Sequence, residues 1–228
     1  MEENTFSPIM EAKDLTKTFC SGDTTLTILD KITLKIEPSQ TIALEGVSGS
    51  GKTTLLQLFA GLILPTQGHI RLMTHNLSHC TEDERAILRG KHIGFVFQSF
   101  QLLPSLTAIE NVMLPLELQK TPLAREKAFS LLSRIGLDKR AHHYPETLSG
   151  GEQQRIAIAR AFITKPKILL ADEPTANIDQ KTAQEIIDLL FQLNQEHRTT
   201  LIFSTHDLSL SKHCQIKWRL NNGRITIS

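Results

Sequence analysis

The residues with the most chemical potential for their number are Gly46-Val47-Ser48-Gly49-Ser50-Gly51-Lys52-Thr53. They satisfy the pattern G-x-x-x-x-G-K-[ST]. Glycines so spaced let successive backbone N–H groups close around phosphate oxygens, and the positive end of a following helix strengthens the field. Lys52 can bridge β- and γ-phosphates, the hydroxyl of Thr53 can ligate Mg²⁺, and Thr54 completes the binding set. The bland alternative, a glycine-rich structural turn, is disfavoured by an apolar strand before the run and a helix after it. A second acidic pair, Asp172-Glu173, closes the apolar run Ile168-Leu169-Leu170-Ala171. An Asp at the carboxyl end of a buried strand lies where open α/β sheets bind ligands. Asp172 can hold the Mg²⁺ shell and Glu173 can polarise an attacking water. Alone this pair is weak evidence; beside the glycine loop it is strong.

The elements that must position these groups can be read from periodicity. Thr25 to Leu29, Ile32 to Ile36, Thr41 to Leu44, Gly68 to Met73 and Ile93 to Phe97 read as strands. Helices fit Lys52 to Ala60 and Glu82 to Leu88. From Ala108 to about Lys165 the chain reads mostly helical, with breaks expected at Pro115, Pro122, Gly136 and Pro145. Ile168 to Ala171 suits a strand covered on both faces. A helix then spans Gln180 to Glu196, and strands follow at Thr200 to Ser204 and Ile216 to Leu220. Alternating strands and helices around a helical insertion predict α/β architecture.

Composition narrows the setting. Lys plus Arg number 25 against 24 Asp plus Glu, a formal net charge of +1, which argues against electrostatic capture of nucleic acid. One Trp and one Tyr make a base-stacking RNA reader unpromising. Three scattered cysteines, Cys20, Cys80 and Cys214, suggest no disulfide framework and fit a reducing compartment. The acidic start Met1-Glu2-Glu3-Asn4 is no signal peptide. The richest apolar window, Leu55 to Leu64, falls well short of the roughly 20 residues a membrane span needs. The expectation is a soluble, cytoplasmic chain. His75, His79 and Cys80 carry a metal-like spacing but no partnering pair, so a solvated loop or helix start is the simpler reading.

Leu148-Ser149-Gly150-Gly151-Glu152 adds the deciding motif. It resembles the signature of ATP-binding cassette (ABC) ATPases, and its Ser and Glu are also spaced as a capping box. The resemblance extends along nearly the whole chain. Gln98, after Gly94-Phe95-Val96-Phe97, matches the family's Q-loop glutamine. Asp179, in Glu173-Pro174-Thr175-Ala176-Asn177-Ile178-Asp179, matches its D-loop aspartate. His206, after Leu201-Ile202-Phe203-Ser204-Thr205, matches its switch histidine, and Phe19 stands where an aromatic stacks on adenine. Two departures are conservative: Phe19 replaces the commoner Tyr, and Asn177-Ile178 replaces a small residue and Leu. The run Gly94 to Pro104, with Glu110-Asn111-Val112 and Pro115, is similar to the branch containing LolD, the MacB nucleotide-binding domain and the YbbA group.

That resemblance implies a single cassette domain over residues 1–228. Its fold would be a P-loop NTPase core with an antiparallel β subdomain and a helical subdomain at roughly 100–165. The implied catalytic set is Glu173, His206, Gln98 and Lys52. Mg²⁺ would be held by Thr53, Gln98 and Asp172. ATP would be bound by Phe19, residues 46–54 (Gly46, Val47, Ser48, Gly49, Ser50, Gly51, Lys52, Thr53, Thr54), Ser149, Gly150, Gly151 and Asp179. The family's arrangement implies a homodimer around two ATP, because the signature loop of one copy completes the site of another. Membrane permease subunits of MacB or LolC type, with a large external domain, are the implied partners, reached from the cytoplasmic face of the inner membrane. Phe97, Phe100, Leu102 and Leu103 could either dock there or fill the helical core. Arg155 and Arg160 are expected on a solvated or interface-facing side of their helix. A rival reading, a soluble ABC ATPase acting on nucleic acid or ribosomes, would need a coiled-coil insertion or a second cassette with a basic linker.

Overall fold

The computed structural model describes residues 7–22, 24–176 and 178–228. They form two compact units, one of Met1–Arg89 with Ile202–Ser228 and one of Gly90–Leu201. Asn177, within the run ending at Asp179, lies outside the described residues.

In the first unit, an antiparallel sheet runs in the order β2-β1-β4-β5, with β1 Met10–Ser21, β2 Thr24–Ile36, β4 Gln67–Leu72 and β5 His75–Asn76. One face of β2 is buried through Leu29, Ile32, Leu34 and Ile36 while Lys35 and Thr33 point outward. Leu29 and Ile32 are out of phase for a plain strand. The pairing of β1 with β2 shifts register between Ala12 and Lys17, and Asp14 and Lys31 take left-handed backbone there. A bulge of this kind resets which face a side chain meets. His79 and Cys80 lie just after β5; the Cys80 thiol is 3.3 Å from the Asn76 carbonyl.

The same unit holds β3 (Thr41–Glu45), α1 (Lys52–Phe59), a short α7 (Leu208–Ser211), β9 (Ile216–Asn221) and β10 (Arg224–Ile227). It also holds all but the first two residues of β8 (Thr200–Thr205). These strands lie in the order β10-β9-β3-β8. β3 and β9 are parallel, with Ile42 opposite Ile216. Every residue of β3 and β8 is buried, as uninterrupted apolar strands covered on both faces require. Phe59 at the end of α1 meets Trp218 of β9 edge-on, ring centroids 6.2 Å apart. β9 turns into β10 through Asn222-Gly223, both left-handed, which is the two-residue hairpin geometry this pair favours.

In the second unit, β6 (Ile93–Val96) and β7 (Ile168–Ala171) are parallel neighbours, with Val96 opposite Ala171. α2 (Glu82–His92) ends in this unit, just before β6. α3 (Ala108–Leu118), α4 (Ala124–Arg134) and α5 (Gly150–Phe162) bury one core made of Ala108, Ile109 and Val112, Ala128 and Leu132, and Ile156 and Ala159. The spacing on each helix is that of one apolar stripe. α6 (Gln180–His197) closes the unit with Ile186, Ile187, Leu190 and Leu193 buried. Pro115, expected as a break, lies inside α3, which runs on to Leu118. A proline removes only its own N–H, and the Gln119 N–H still reaches the Pro115 carbonyl at 3.3 Å. Among the described residues no helix is long and apolar enough to cross a membrane.

Candidate functional site

In the first unit the glycine loop connects β3 to α1. Gly51 caps α1 with φ of 104°, a conformation that disfavours any side chain. A Cβ there would also lie 2.8 Å from the Ile28 methyl. The cap supplies no side-chain acceptor and the first turn of α1 carries no acid. The leading N–H groups of the helix therefore stay available to an anion, with the dipole in its favour. Lys52 is 5% exposed, and its ammonium donates to the carbonyls of Gly46 at 2.9 Å and Val47 at 3.1 Å. The charge is thus held at the loop. The buried Ser50 hydroxyl has no hydrogen-bond partner among the described residues. This loop fits a polyphosphate: fixed donors, a tethered cation and no acid in the first turn of α1.

Phe19, on β1, is 45% exposed, with the Lys17 ammonium 5.0 Å from its ring centroid. An accessible aromatic face bordered by a cation suits an electron-rich heteroaromatic ring. His206 follows the buried strand β8 and is exposed; the neighbouring Asp207 N–H is held by the Thr205 hydroxyl at 3.0 Å.

In the second unit, Asp172 is 4% exposed directly past β7, and its N–H donates to the Val96 carbonyl of β6 at 2.9 Å. The register thus brings Asp172, Glu173 and the loop bearing Gln98 to the carboxyl end of one parallel pair. Glu173 has left-handed backbone, φ 44°, an uncommon conformation for a non-glycine residue and one met at functional sites. Gln98 is exposed at the start of a turn in which Phe100 and Gln101 are both left-handed. The buried Asp172 carboxylate is a hard-oxygen donor of the kind Mg²⁺ takes.

The signature run opens α5. Ser149 is its N-cap: the Ser149 hydroxyl accepts from the Glu152 N–H at 3.3 Å, and the Glu152 carboxylate accepts from the Ser149 N–H at 2.8 Å. Burial pushes the Glu152 carboxyl upward, but the two Ser149 contacts and Arg140, 3.1 Å away, outweigh it and hold the group below the usual glutamate value. Asp179 caps α6 in the same manner, accepting from the Thr182 N–H at 3.1 Å; its Thr182 contacts lower its carboxyl. The two helix starts touch. A Cβ on Gly151 would lie 2.4 Å from the Thr182 methyl carbon, so any side chain at this position would force Thr182 to move.

Sequence reasoning did not single out Thr182 and did not place Phe100 or Arg160 in this group. Thr182 wedges against Gly151, and Phe100 lies 3.8 Å from where a Cβ of Gly150 would be. Arg160, expected on a solvated or interface face, instead donates to the carbonyls of Gln101 at 2.7 Å and Phe100 at 3.0 Å. Its position twelve residues after Leu148 gave no signal of that; only the loop's left-handed turn creates the two adjacent acceptors. Arg155 pairs with Glu185 of α6 at 3.0 Å. Of the apolar quartet, Leu102 packs on the helical core, Phe97 stacks on Phe95 at 4.3 Å, and Leu103 is 42% exposed.

A phosphate loop on an uncapped helix, a buried aspartate and a following glutamate on parallel strands define a P-loop nucleoside triphosphatase, and the Ser149-Gly150-Gly151 helix start points to the cassette type. The family described as ABC transporter matches residues 29–176. The ABC transporter ATP-binding protein YbbA of Escherichia coli (strain K12) is 49% identical over 219 residues, covering 95% of this chain and 96% of that one. The lipoprotein-releasing system ATP-binding protein LolD of Hydrogenovibrio crunogenus is 45% identical over 221 residues, covering 96% of each. The macrolide export ATP-binding/permease protein MacB of Syntrophobacter fumaroxidans is 43% identical over 95% of this chain, which spans 31% of that longer protein. Among solved structures, the dimeric cassette MJ0796 bound to ADP and Pi aligns with a TM-score of 0.91 at 36% identity, covering 96% of this chain and 97% of that one. The chain belongs to the ABC transporter family, as an ATP-binding, ATP-hydrolysing subunit with the ABC cassette fold.

Proposed function

We propose that this chain is the detachable motor of a membrane transporter, one cassette per chain, working as a homodimer that closes around two ATP. The single observation that carries the proposal is the start of α5, where Ser149, Gly150 and Gly151 present a helix N-terminus beside that of α6. A helix start of this kind binds phosphate, yet the chain already has a phosphate loop of its own. A second copy uses the spare one, and twofold symmetry makes the exchange reciprocal.

In this reading Phe19 stacks on adenine, and the amides of residues 46–54 with Lys52 hold the phosphates. Thr53, Gln98 and Asp172 hold Mg²⁺, which when bound neutralises charge on the β- and γ-phosphoryl oxygens. Glu173 takes a proton from the attacking water. His206 and Lys52 meet the charge developing on the γ-phosphoryl, joined by Ser149 and Gly151 of the second copy, while Asp179 fixes the approach to α6. Loss of the γ-phosphate removes these contacts and lets the copies part.

The work would be delivered to separate permease subunits carrying a large external domain, reached from the cytoplasmic side of the membrane. The names of LolD and MacB support that reading, and nothing in the relatives named above favours action on nucleic acid. Residues 1–228 would act as one domain, with the helical subdomain at roughly 100–165 facing the permease through Gln98 and the exposed Leu103.

Glu173→Gln tests the assignment. Removing the base should slow hydrolysis by about a hundredfold or more while leaving ATP bound. In size-exclusion chromatography with ATP, the variant should move from the 25.6 kDa monomer to a species of twice that mass. Normal turnover in the variant would remove Glu173 from its role.

A further inference from the structure

The second unit contains a cleft of about 480 Å³ whose lining includes none of the residues assigned above to ATP or Mg²⁺. That volume lies within the range of small-molecule sites. Its apolar surface comes from Leu123, the N-cap of α4, from Leu131 on α4, and from Phe162 and Ile163 at the end of α5. His197, at the end of α6, stacks its ring on Phe162 with centroids 4.9 Å apart. Burial and the nearby Lys165 lower the His197 pKa, so the ring is mainly neutral at pH 7 and extends the apolar wall.

The charges of the cleft are uneven. Arg134, in the lining, is already paired with Glu196, which also takes a hydrogen bond from Gln192 at 2.9 Å. Lys127 and Lys165 also line the cleft, and neither ammonium has a hydrogen-bond acceptor or ion-pair partner among the described residues. The one carboxylate in the lining, Glu126, leaves the two lysines in excess. Apolar walls with two unmatched ammonium groups describe a ligand: an apolar body to fill the volume and an anionic head to meet the lysines.

We propose that this cleft is a binding site for a small anionic amphiphile, its head between Lys127 and Lys165 and its body against Leu123, Leu131, Phe162 and Ile163. Decanoate is a suitable probe, with decanol as its neutral counterpart. Isothermal titration of the full chain should show one saturable decanoate site per chain. Decanol, or decanoate with a Lys127→Gln/Lys165→Gln variant, should bind about tenfold more weakly, the combined effect of two exposed ion pairs. Ser130→Trp, at an exposed helical position in the lining, should fill the cleft and abolish decanoate binding. ATP binding by the same variants checks that they are folded and that the phosphate loop is untouched. Absence of saturable decanoate binding overturns the proposal, as does equal affinity for decanol or an affinity unaltered by these variants.

Discussion

At the scale of single residues, the contacts that decide function here are made largely by backbone and by groups the motifs do not include. Lys52 is held by two carbonyls of its own loop, so its charge is in place before any phosphate arrives. Lys52→Ala should weaken ATP binding itself, in contrast to Glu173→Gln, and equilibrium nucleotide titration separates the two. The carboxylates at helix starts behave as a set. Contacts with Thr107 lower Glu110 below its ordinary value, and Asp179 and Glu152 are lowered as well. A carboxyl lowered in the folded state contributes stability above its unfolded value, and that contribution is lost as pH falls through the folded value. The melting temperature should therefore drop as pH falls below about 4.5, and Glu152→Gln should narrow its gap to the wild type over that interval. A gap that widens on acidification would contradict the capping contacts.

Elements turn these contacts into couplings. Gly151 on α5 and Thr182 on α6 can be tested as a pair. Gly151→Ala should cost about 1–3 kcal/mol through overpacking, and adding Thr182→Ala should recover most of it. Chemical denaturation of the two singles and the double measures this directly; additive losses would show that the helix starts do not press on each other. Arg160 links α5 to the loop after Gln98. Arg160→Ala should leave two carbonyls without their charged donor and cost about 1.5–3 kcal/mol. ATP hydrolysis should fall further than ATP affinity, because the affected loop carries Gln98 and not the phosphate loop. β3, β4, β6, β7, β8 and β9, with α1 and α6, were legible because period and punctuation agreed. β1 and β5 were not read as strands, and β2, one strand from Thr24 to Ile36, was read as two because its irregular pairing with β1 interrupts the alternation. The β9–β10 hairpin was passed over despite Asn222-Gly223, a strong turn signal in a segment read only for apolar runs. Pro115 misled because a proline is read as a break, whereas a packed helix tolerates one missing N–H. Arg160 and Thr182 were illegible for a different reason: their partners lie 59 or 60 residues away for Arg160 and on a second helix for Thr182, and no local pattern encodes that.

For the molecule as a whole, the +1 net charge leaves no large repulsion to overcome when two copies meet, so dimer formation should depend on nucleotide far more than on salt. Light scattering of the Glu173→Gln variant with ATP, across ionic strengths, checks this; a dimer that forms equally well without nucleotide would separate assembly from the ATP cycle. The chain has one tryptophan, and it is buried on β9 with its edge against Phe59, the last residue of the helix that begins at Lys52. Emission excited at wavelengths that tryptophan absorbs and the one tyrosine, Tyr144 of the second unit, does not therefore comes from the first unit. Occupancy of the phosphate loop has a spectroscopic witness at the far end of its own helix, and the natural chain can be followed through a turnover with no dye attached.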